Sequence, residues 1–381
     1  MPDVTAVRAF LGEQLVELAA KLDTFCAERI ATVDEPASDD AARRAAREHL
    51  AALGDGGWLA PIAEQDLRVL CLIRETLGAT SPLADAVFAL QALGGLPLLL
   101  AGSNDLKRRW LEPALAGKAM AAFAMTEPEA GSDVAAMATS ATRHGDEYML
   151  TGRKWLISNA GIADFYVVFA ATDPGVKGRG LSCFVAPADT KGLTFVRAQV
   201  MSAPHPLGEI AFEECRVPAS ARIGVEGDGF RLGLMTLDRL RPTVGAAACG
   251  MAARALREAT EHASTREQFG QPLAQFQLVQ AKLARMATDL TAARLLVYRA
   301  AWEHHEGKSR ITLEAAMAKL FATEAAQRII DDAVQILGGR GVLADHPVDR
   351  LYRAVRALRI YEGTSEIQHL VIARELLRGE K

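Results

Sequence analysis

The chain has 381 residues, half of them apolar and 24% charged, with a formal net charge of −4. That length accommodates two or three domains around a sizeable core, and the balance is that of an ordinary globular protein. The acidic net charge offers no electrostatic basis for nucleic acid or an anionic membrane as the main partner.

The N-terminal stretch MPDVTAVRAFLGEQLVELAA places acidic residues inside its apolar pattern and has no apolar core of a signal peptide. Phe10, Leu11, Leu15, Leu18 and Leu22 recur at helical spacing, so residues 1–120 read as an N-terminal helical domain. The most apolar stretch, Ala89 to Ala101, is interrupted by Gln91, Gly94, Gly95 and Pro97 and reads as too short and too broken to span a bilayer. Asn104 to Leu111 predicts a short amphipathic helix, with Pro113 and Gly117 marking its end.

Residues 121–222 change character. Short segments rich in β-formers (EYMLTG, FYVVFAAT, LSCFVAP, LTFVRAQV) alternate with Gly/Asp/Pro turns, which predicts an antiparallel β-domain of barrel or sandwich type. From 223 to 381 the pattern is helical again. Long Ala-rich segments over 228–263, 274–305 and 312–337 predict a bundle, the last stopping at Gly338-Gly339. The fold class is therefore mainly α with a central β-domain. Cys26, Cys71, Cys183, Cys215 and Cys249 are scattered with no CxxC pair, which argues against a metal site or a disulfide framework and for a reducing cytoplasm.

Four segments have residue types suited to chemistry. Ala124 to Asp133 (AMTEPEAGSD) is a strand running into a small-residue turn; Thr126 and Ser132 offer hydroxyls and Gly131 permits close backbone approach. The same residues suit an ordinary strand-to-loop junction. Gln335 to Gly341 (QILGGRG) ends a helix, and its glycines suit either a stop or a flat cofactor. Thr265 to Leu273 (TREQFGQPL) presents Arg266, fitted to a phosphate or to plain solvent exposure. Arg359 to Ile367 (RIYEGTSEI) sets Glu362 beside apolar neighbours before a helix at 365–377; a carboxylate there is either a solvated loop acid or a base of raised pKa.

Together and in order, AMTEPEAGSD, GRKWLISNAG, FEECRVP, GDGFRLGL, LDRLRP, REQFGQPLAQFQ, VQILGGRG and RIYEGTSEIQ resemble the acyl-CoA dehydrogenase family along essentially the whole chain from about residue 100. The resemblance implies an N-terminal helical domain, a middle β-domain and a C-terminal four-helix bundle, with FAD as cofactor and acyl-CoA as substrate. It further implies a homotetramer built as a dimer of dimers and an electron-transfer flavoprotein as acceptor. Glu362 is the implied α-proton-abstracting base, with the β-hydrogen passing to flavin N5 and a trans-2-enoyl-CoA as product. Phe123, Ala124, Met125 and Thr126 are implied to line the flavin, with Leu156, Ile157 and Ser158 beside it and Ser158 at N5. Ser132 is implied to touch both FAD and CoA, Asp238 and Arg241 to lie near the CoA nucleotide, and Gly363 to contact substrate. Arg266, Phe269, Gln277, Gln335, Gly338 and Gly339 would serve a partner subunit's FAD, and Thr364 and Glu366 the FAD of their own. A flavin oxidase or monooxygenase on the same fold, or a non-catalytic binding member, are the competing readings.

The chain departs from the family pattern in places. Trp155 stands one position earlier than the usual aromatic, which turns it to the opposite strand face and leaves Leu156 as the flavin cover unless a bulge intervenes. Ala354 follows Arg353 where an Asp is common, and an N-terminal Tyr-Gly-Gly loop is missing. Leu240 is apolar at the alternative base position, which favours Glu362 as the base, and His205 has no assigned role.

Overall fold

In the computed structural model, which describes residues 4–176, 180–308 and 310–378, the N-terminal periodicity becomes helices. These are α1 (Glu13–Phe25), α2 (Asp39–Asp55), α3 (Pro61–Glu64), α4 (Leu67–Thr80) and α5 (Pro82–Ala101). Caps decide where two of them start: Ser38 accepts from the Ala41 N–H before α2, and Asp66 from the Arg68 N–H before α4. The predicted helix at Asn104 starts as α6 (Asn104–Leu106), widens over Lys107–Leu111 and continues as α7 (Glu112–Leu115). Pro113 therefore does not end it; it sits directly after the wide turn, at the start of α7. Gly117, at φ +68°, does turn the chain away.

The apolar stretch at 89–101 is the second half of a longer helix. The whole of α5 is long and apolar enough to cross a membrane by length and composition, but most of it is buried inside the protein, as in a core helix.

The strands follow: β1 (Ala121–Ala124), β2 (Ser140–His144), β3 (Glu147–Ser158), β4 (Phe165–Ala171), β5 (Leu181–Pro187), β6 (Leu193–Ala198), β7 (Leu207–Pro218) and β8 (Arg222–Ile223). They form one sheet in the order β6-β7-β3-β2-β4-β5-β8, with β1 added parallel to β4. The sheet is antiparallel except for β1–β4 and the bridge between Ser140 of β2 and Ala171 of β4, so it is mixed. β4 and β5 read as unbroken apolar runs because both faces are covered. Phe165, Val167 and Phe169 enter one core, and Tyr166, Val168 and Ala170 enter the other.

After the sheet come α8 (Gly229–Thr265), the small hairpin β9 (Glu267–Gln268) and β10 (Gln271–Pro272), then α9 (Gln277–His305), α10 (Thr312–Leu337), α11 (Pro347–Leu358) and α12 (Ser365–Leu377). Among the described residues the C-terminal part thus has three long helices and two shorter ones.

By compactness the chain divides into two units that do not follow chain order. The sheet unit comprises residues 33–65 and 86–237, and the helical unit comprises 1–32, 66–85 and 238–381. In the helical unit α4 and α8 cross at small residues. A Cβ on Gly78 would lie 2.7 Å from the Ala247 carbonyl oxygen, and one on Gly250 would lie 1.9 Å from that of Glu75. Both positions admit only glycine at this spacing. Two buried polar clusters brace the unit. Arg74 donates to Asp85 at 2.7 and 2.8 Å and to the Thr243 hydroxyl at 3.0 Å. Glu75 accepts from Arg294 and from the Tyr298 hydroxyl, each at 2.8 Å.

Candidate active site

In the sheet unit, β1 delivers the Met125–Asp133 segment, and one buried ion pair fixes its shape. Lys154, fully buried on β3, donates to Glu127 at 2.7 Å and to the Met125 carbonyl at 3.2 Å. Glu127 also accepts from the Ala138 and Thr139 N–H groups, and its own backbone pairs with Ala130 to close a tight turn. Burial drives Lys154 down to about 8 against the pull of Glu127. Glu127 is thereby an internal strut.

The same strand settles the position of Trp155. Lys154 pairs with Ile210 and Ile157 with Gly208, so three residues of β3 span two of β7. This is a bulge of one extra residue, with Leu156 in the left-handed region at φ +56°. Lys154 and Ile157 both stay in the core, while Trp155 and Leu156 remain outside it. The Trp155 N–H donates to the Thr126 carbonyl at 2.9 Å, and the Leu156 N–H to the Gln199 side chain at 2.9 Å. The bulge thus sets Trp155 and Leu156 outside the core together, with the Trp155 backbone against that of Thr126. Phe123 and Thr126 are half-buried and available, whereas Ala124, Met125 and Ile157 turn their side chains into the core and can offer a ligand only backbone. Ser132 is exposed, and Gly131 has open space where a Cβ would stand. At the end of β3, Ser158 Oγ lies 2.7 Å from His205 Nε2.

In the helical unit the chain between α11 and α12 is held in an uncommon backbone. Glu362 has φ +54° and Gly363 φ +93°. A non-glycine residue there is strained and is kept only by surrounding constraints. Those constraints are present. Arg241 donates to the Glu362 carbonyl at 3.2 Å, Gln368 to the carbonyls of Glu362 and Gly363 at 3.3 and 3.0 Å, and Lys319 to that of Gly363 at 2.7 Å. Glu324 joins Arg359 and Ser365 on either side of the loop, and Thr364 caps α12. Every one of these bonds grips backbone or flank. The Glu362 Oε2 itself is buried with no hydrogen-bond partner. Burial raises the Glu362 carboxyl above the ordinary range, against the opposing charges of Arg74, Lys319 and Arg241.

Asp238 and Arg241, expected near a nucleotide, are engaged internally. Arg241 is buried, pairs with Asp238 and holds the Glu362 loop, while Asp238 also accepts from Thr312 at 3.0 Å. Arg266, Phe269, Gln277, Gln335, Gly338, Gly339 and Glu366 are all exposed, Phe269 to 94%. Gly338, at φ +59° and ψ −135°, has a conformation only glycine enters readily. Among the described residues no group of His, Cys, Asp and Glu is placed to hold a metal ion.

Comparison with known proteins matches three consecutive family profiles: "Acyl-CoA dehydrogenase, N-terminal domain" at residues 12–118, the middle domain at 122–215 and the C-terminal domain at 227–377. The chain belongs to the acyl-CoA dehydrogenase family. It is 40% identical over 384 residues to the probable acyl-CoA dehydrogenase FadE25 of Mycobacterium tuberculosis, covering 98% of this chain and 94% of that protein. The structure of butyryl-CoA dehydrogenase from Megasphaera elsdenii superposes with a TM-score of 0.89 at 33% identity, covering 97% and 99% of the two chains. PigA, solved with FAD and proline, gives a TM-score of 0.85 at 30% identity, covering 97% and 99%.

Acyl-CoA dehydrogenases carry FAD, and the residues here fit it. The sheet unit presents the half-buried edge of Phe123, Thr126, Trp155 and Ser158 together with the open backbone at Gly131. The other departures from the family pattern are absorbed locally. Arg353 pairs with Asp349 at 2.7 Å one turn away, and Ala354 and Leu240 are buried.

Proposed function

We propose that this enzyme oxidises a saturated acyl-CoA thioester between its α and β carbons to the trans-2-enoyl-CoA, with Glu362 taking the α-proton. The observation that carries this is the Glu362 carboxylate: one oxygen buried and unpartnered, its pKa raised, on a loop held by bonds that leave the carboxylate free. A thioester α-proton is weakly acidic, and a carboxylate stripped of water and hydrogen bonds is a stronger base than a solvated one. FAD, when bound, supplies the two-electron acceptor for the β-hydrogen.

The chain's own residues do the rest. Arg241, Lys319 and Gln368 fix the direction of the base, and Leu240 leaves no second carboxylate at the alternative position. Phe123, Thr126, Leu156 and Ser158 are proposed to line the flavin with the backbone of Ala124, Met125 and Ile157, Thr364 and Glu366 to meet the FAD of their own subunit, and Ser132 and Gly363 to meet the substrate. The exposure of Phe269 and Leu278, at 94% and 82%, supports a second copy covering this face, as in a homotetramer. That copy's FAD would take Arg266, Phe269, Gln277, Gln335, Gly338 and Gly339. An electron-transfer flavoprotein is the proposed acceptor, and the cytoplasm the proposed location.

Anaerobic mixing of the FAD-loaded protein with a panel of straight, branched, cyclic and dicarboxylic acyl-CoAs tests the reaction. At least one thioester is expected to bleach the visible flavin band and yield its enoyl-CoA. Failure of the whole panel would overturn it, and rapid peroxide formation with oxygen as sole acceptor would favour the oxidase reading.

A further inference from the structure

The mechanism leaves one close polar contact unused. Ser158 closes β3, and the segment Ala203-Pro204-His205-Pro206 leads into β7. Their ends are tightly stitched. The Asn159 N–H donates to the Pro206 carbonyl at 2.8 Å, and the Asn159 side chain to the Ala121 carbonyl at 2.9 Å. Arg43 of α2 donates to the carbonyls of Ala160 and Leu207 at 2.6 and 2.9 Å. Within this frame the imidazole of His205 meets the Ser158 hydroxyl at 2.7 Å through Nε2. Prolines on both sides restrict the backbone that carries the ring.

Burial pushes His205 down to about 4, with Asp39 acting upward and Arg43 downward, so the ring is neutral near pH 7. A neutral imidazole has one donor and one acceptor nitrogen, and the surroundings of the far nitrogen decide which is which. The charges acting on this ring are Asp39 and Arg43, themselves paired at 2.6 Å, with the Asp39 Oδ1 buried and without a hydrogen-bond partner. With the proton on Nδ1, Nε2 is the acceptor for the Ser158 O–H at 2.7 Å. The Ser158 oxygen is then left with lone pairs only.

We propose that His205 is a positioning residue that turns the Ser158 hydroxyl into an acceptor facing flavin N5. This rests on the reading that Ser158 lies at the flavin. An acceptor there favours the reduced flavin, whose N5 bears a hydrogen, over the oxidised flavin, whose N5 bears a lone pair. His205 thereby raises the flavin's tendency to take up electrons. Without the ring the hydroxyl is free to rotate and donate, which favours the oxidised form.

The test is the flavin midpoint potential of the FAD-loaded protein, read against a reference dye, for wild type, His205→Phe, His205→Gln, Ser158→Ala and the double variant H205F/S158A. His205→Phe is expected to shift the oxidised-to-reduced ratio at least tenfold toward oxidised, about 30 mV lower for a two-electron couple. His205→Gln, whose side-chain oxygen can accept from Ser158, is expected to recover most of that shift. The Phe effect is expected to vanish in the Ser158→Ala background, as coupled residues require. His205→Met is the second apolar replacement if the Phe variant does not retain FAD. An unchanged or raised potential in the apolar variants, or an equal shift with Ser158 absent, overturns the proposal. A Ser158→Ala variant with wild-type potential and visible spectrum would instead overturn the placement of Ser158 at the flavin.

Discussion

Glu362→Gln is expected to lower kcat by about 10²–10⁴-fold, the range of a positioned general base, with FAD still bound. The substitution preserves shape and removes only the ability to accept a proton. The loop should survive it, because Arg241, Lys319 and Gln368 grip the carbonyls of Glu362 and Gly363 and not the carboxylate. Two measurements on one preparation check this: FAD per chain from the visible spectrum, and turnover with the best thioester. Near-normal turnover at full FAD content would remove Glu362 from the base role.

Asp85→Asn should damage both stability and the pH profile. Arg74 and Asp85 each expose about 2% of their side chains, so neutralising Asp85 leaves the guanidinium buried without its counter-ion. Breaking such a pair costs roughly 3–5 kcal/mol, toward the lower end here because Asn keeps one acceptor. A lower denaturant midpoint should report it. The same pair acts on the base. Arg74 is the strongest influence lowering the Glu362 pKa, and Asp85 opposes it. The base works deprotonated, so the acid limb of kcat follows its pKa. In the wild type that limb should lie above the ordinary carboxylate range. With Asp85 neutral, Arg74 stabilises the Glu362 carboxylate unopposed, and the limb should move to lower pH. An unmoved limb, or one shifted upward, would show that Arg74 and Asp85 do not set the base.

The features legible in the sequence were the local ones. The segment read as helix at 312–337 is α10 to the residue, and the 365–377 helix is α12, because long Ala-rich periodicity and a Thr cap are contiguous signals. Glu362 could be singled out only through the ordered set of motifs, since its own segment also suits a solvated loop acid. The rest depends on partners far apart in the chain. Lys154 can be buried only because Glu127, 27 residues earlier, returns beneath it, and the bulge that keeps it there also moves Trp155. His205 had no readable role because Ser158 lies 47 residues away, across two paired strand ends. Arg74 and Asp85 did leave a trace, as charges inside apolar helical runs, but a trace of that kind names no partner. Ala124, Met125 and Ile157 belong to motifs that surround a cofactor, yet their side chains are buried in the two cores that flank the sheet.

Removal of the α-proton by Glu362 can be watched apart from hydride loss. An acyl-CoA analogue with sulfur in place of the β-carbon has no β-hydrogen to lose. Incubated with FAD-loaded protein in D₂O, it should gain deuterium at the α-carbon, measured by mass spectrometry, with the wild type and not with Glu362→Gln at equal FAD content. Equal deuterium incorporation by the two proteins would contradict the account.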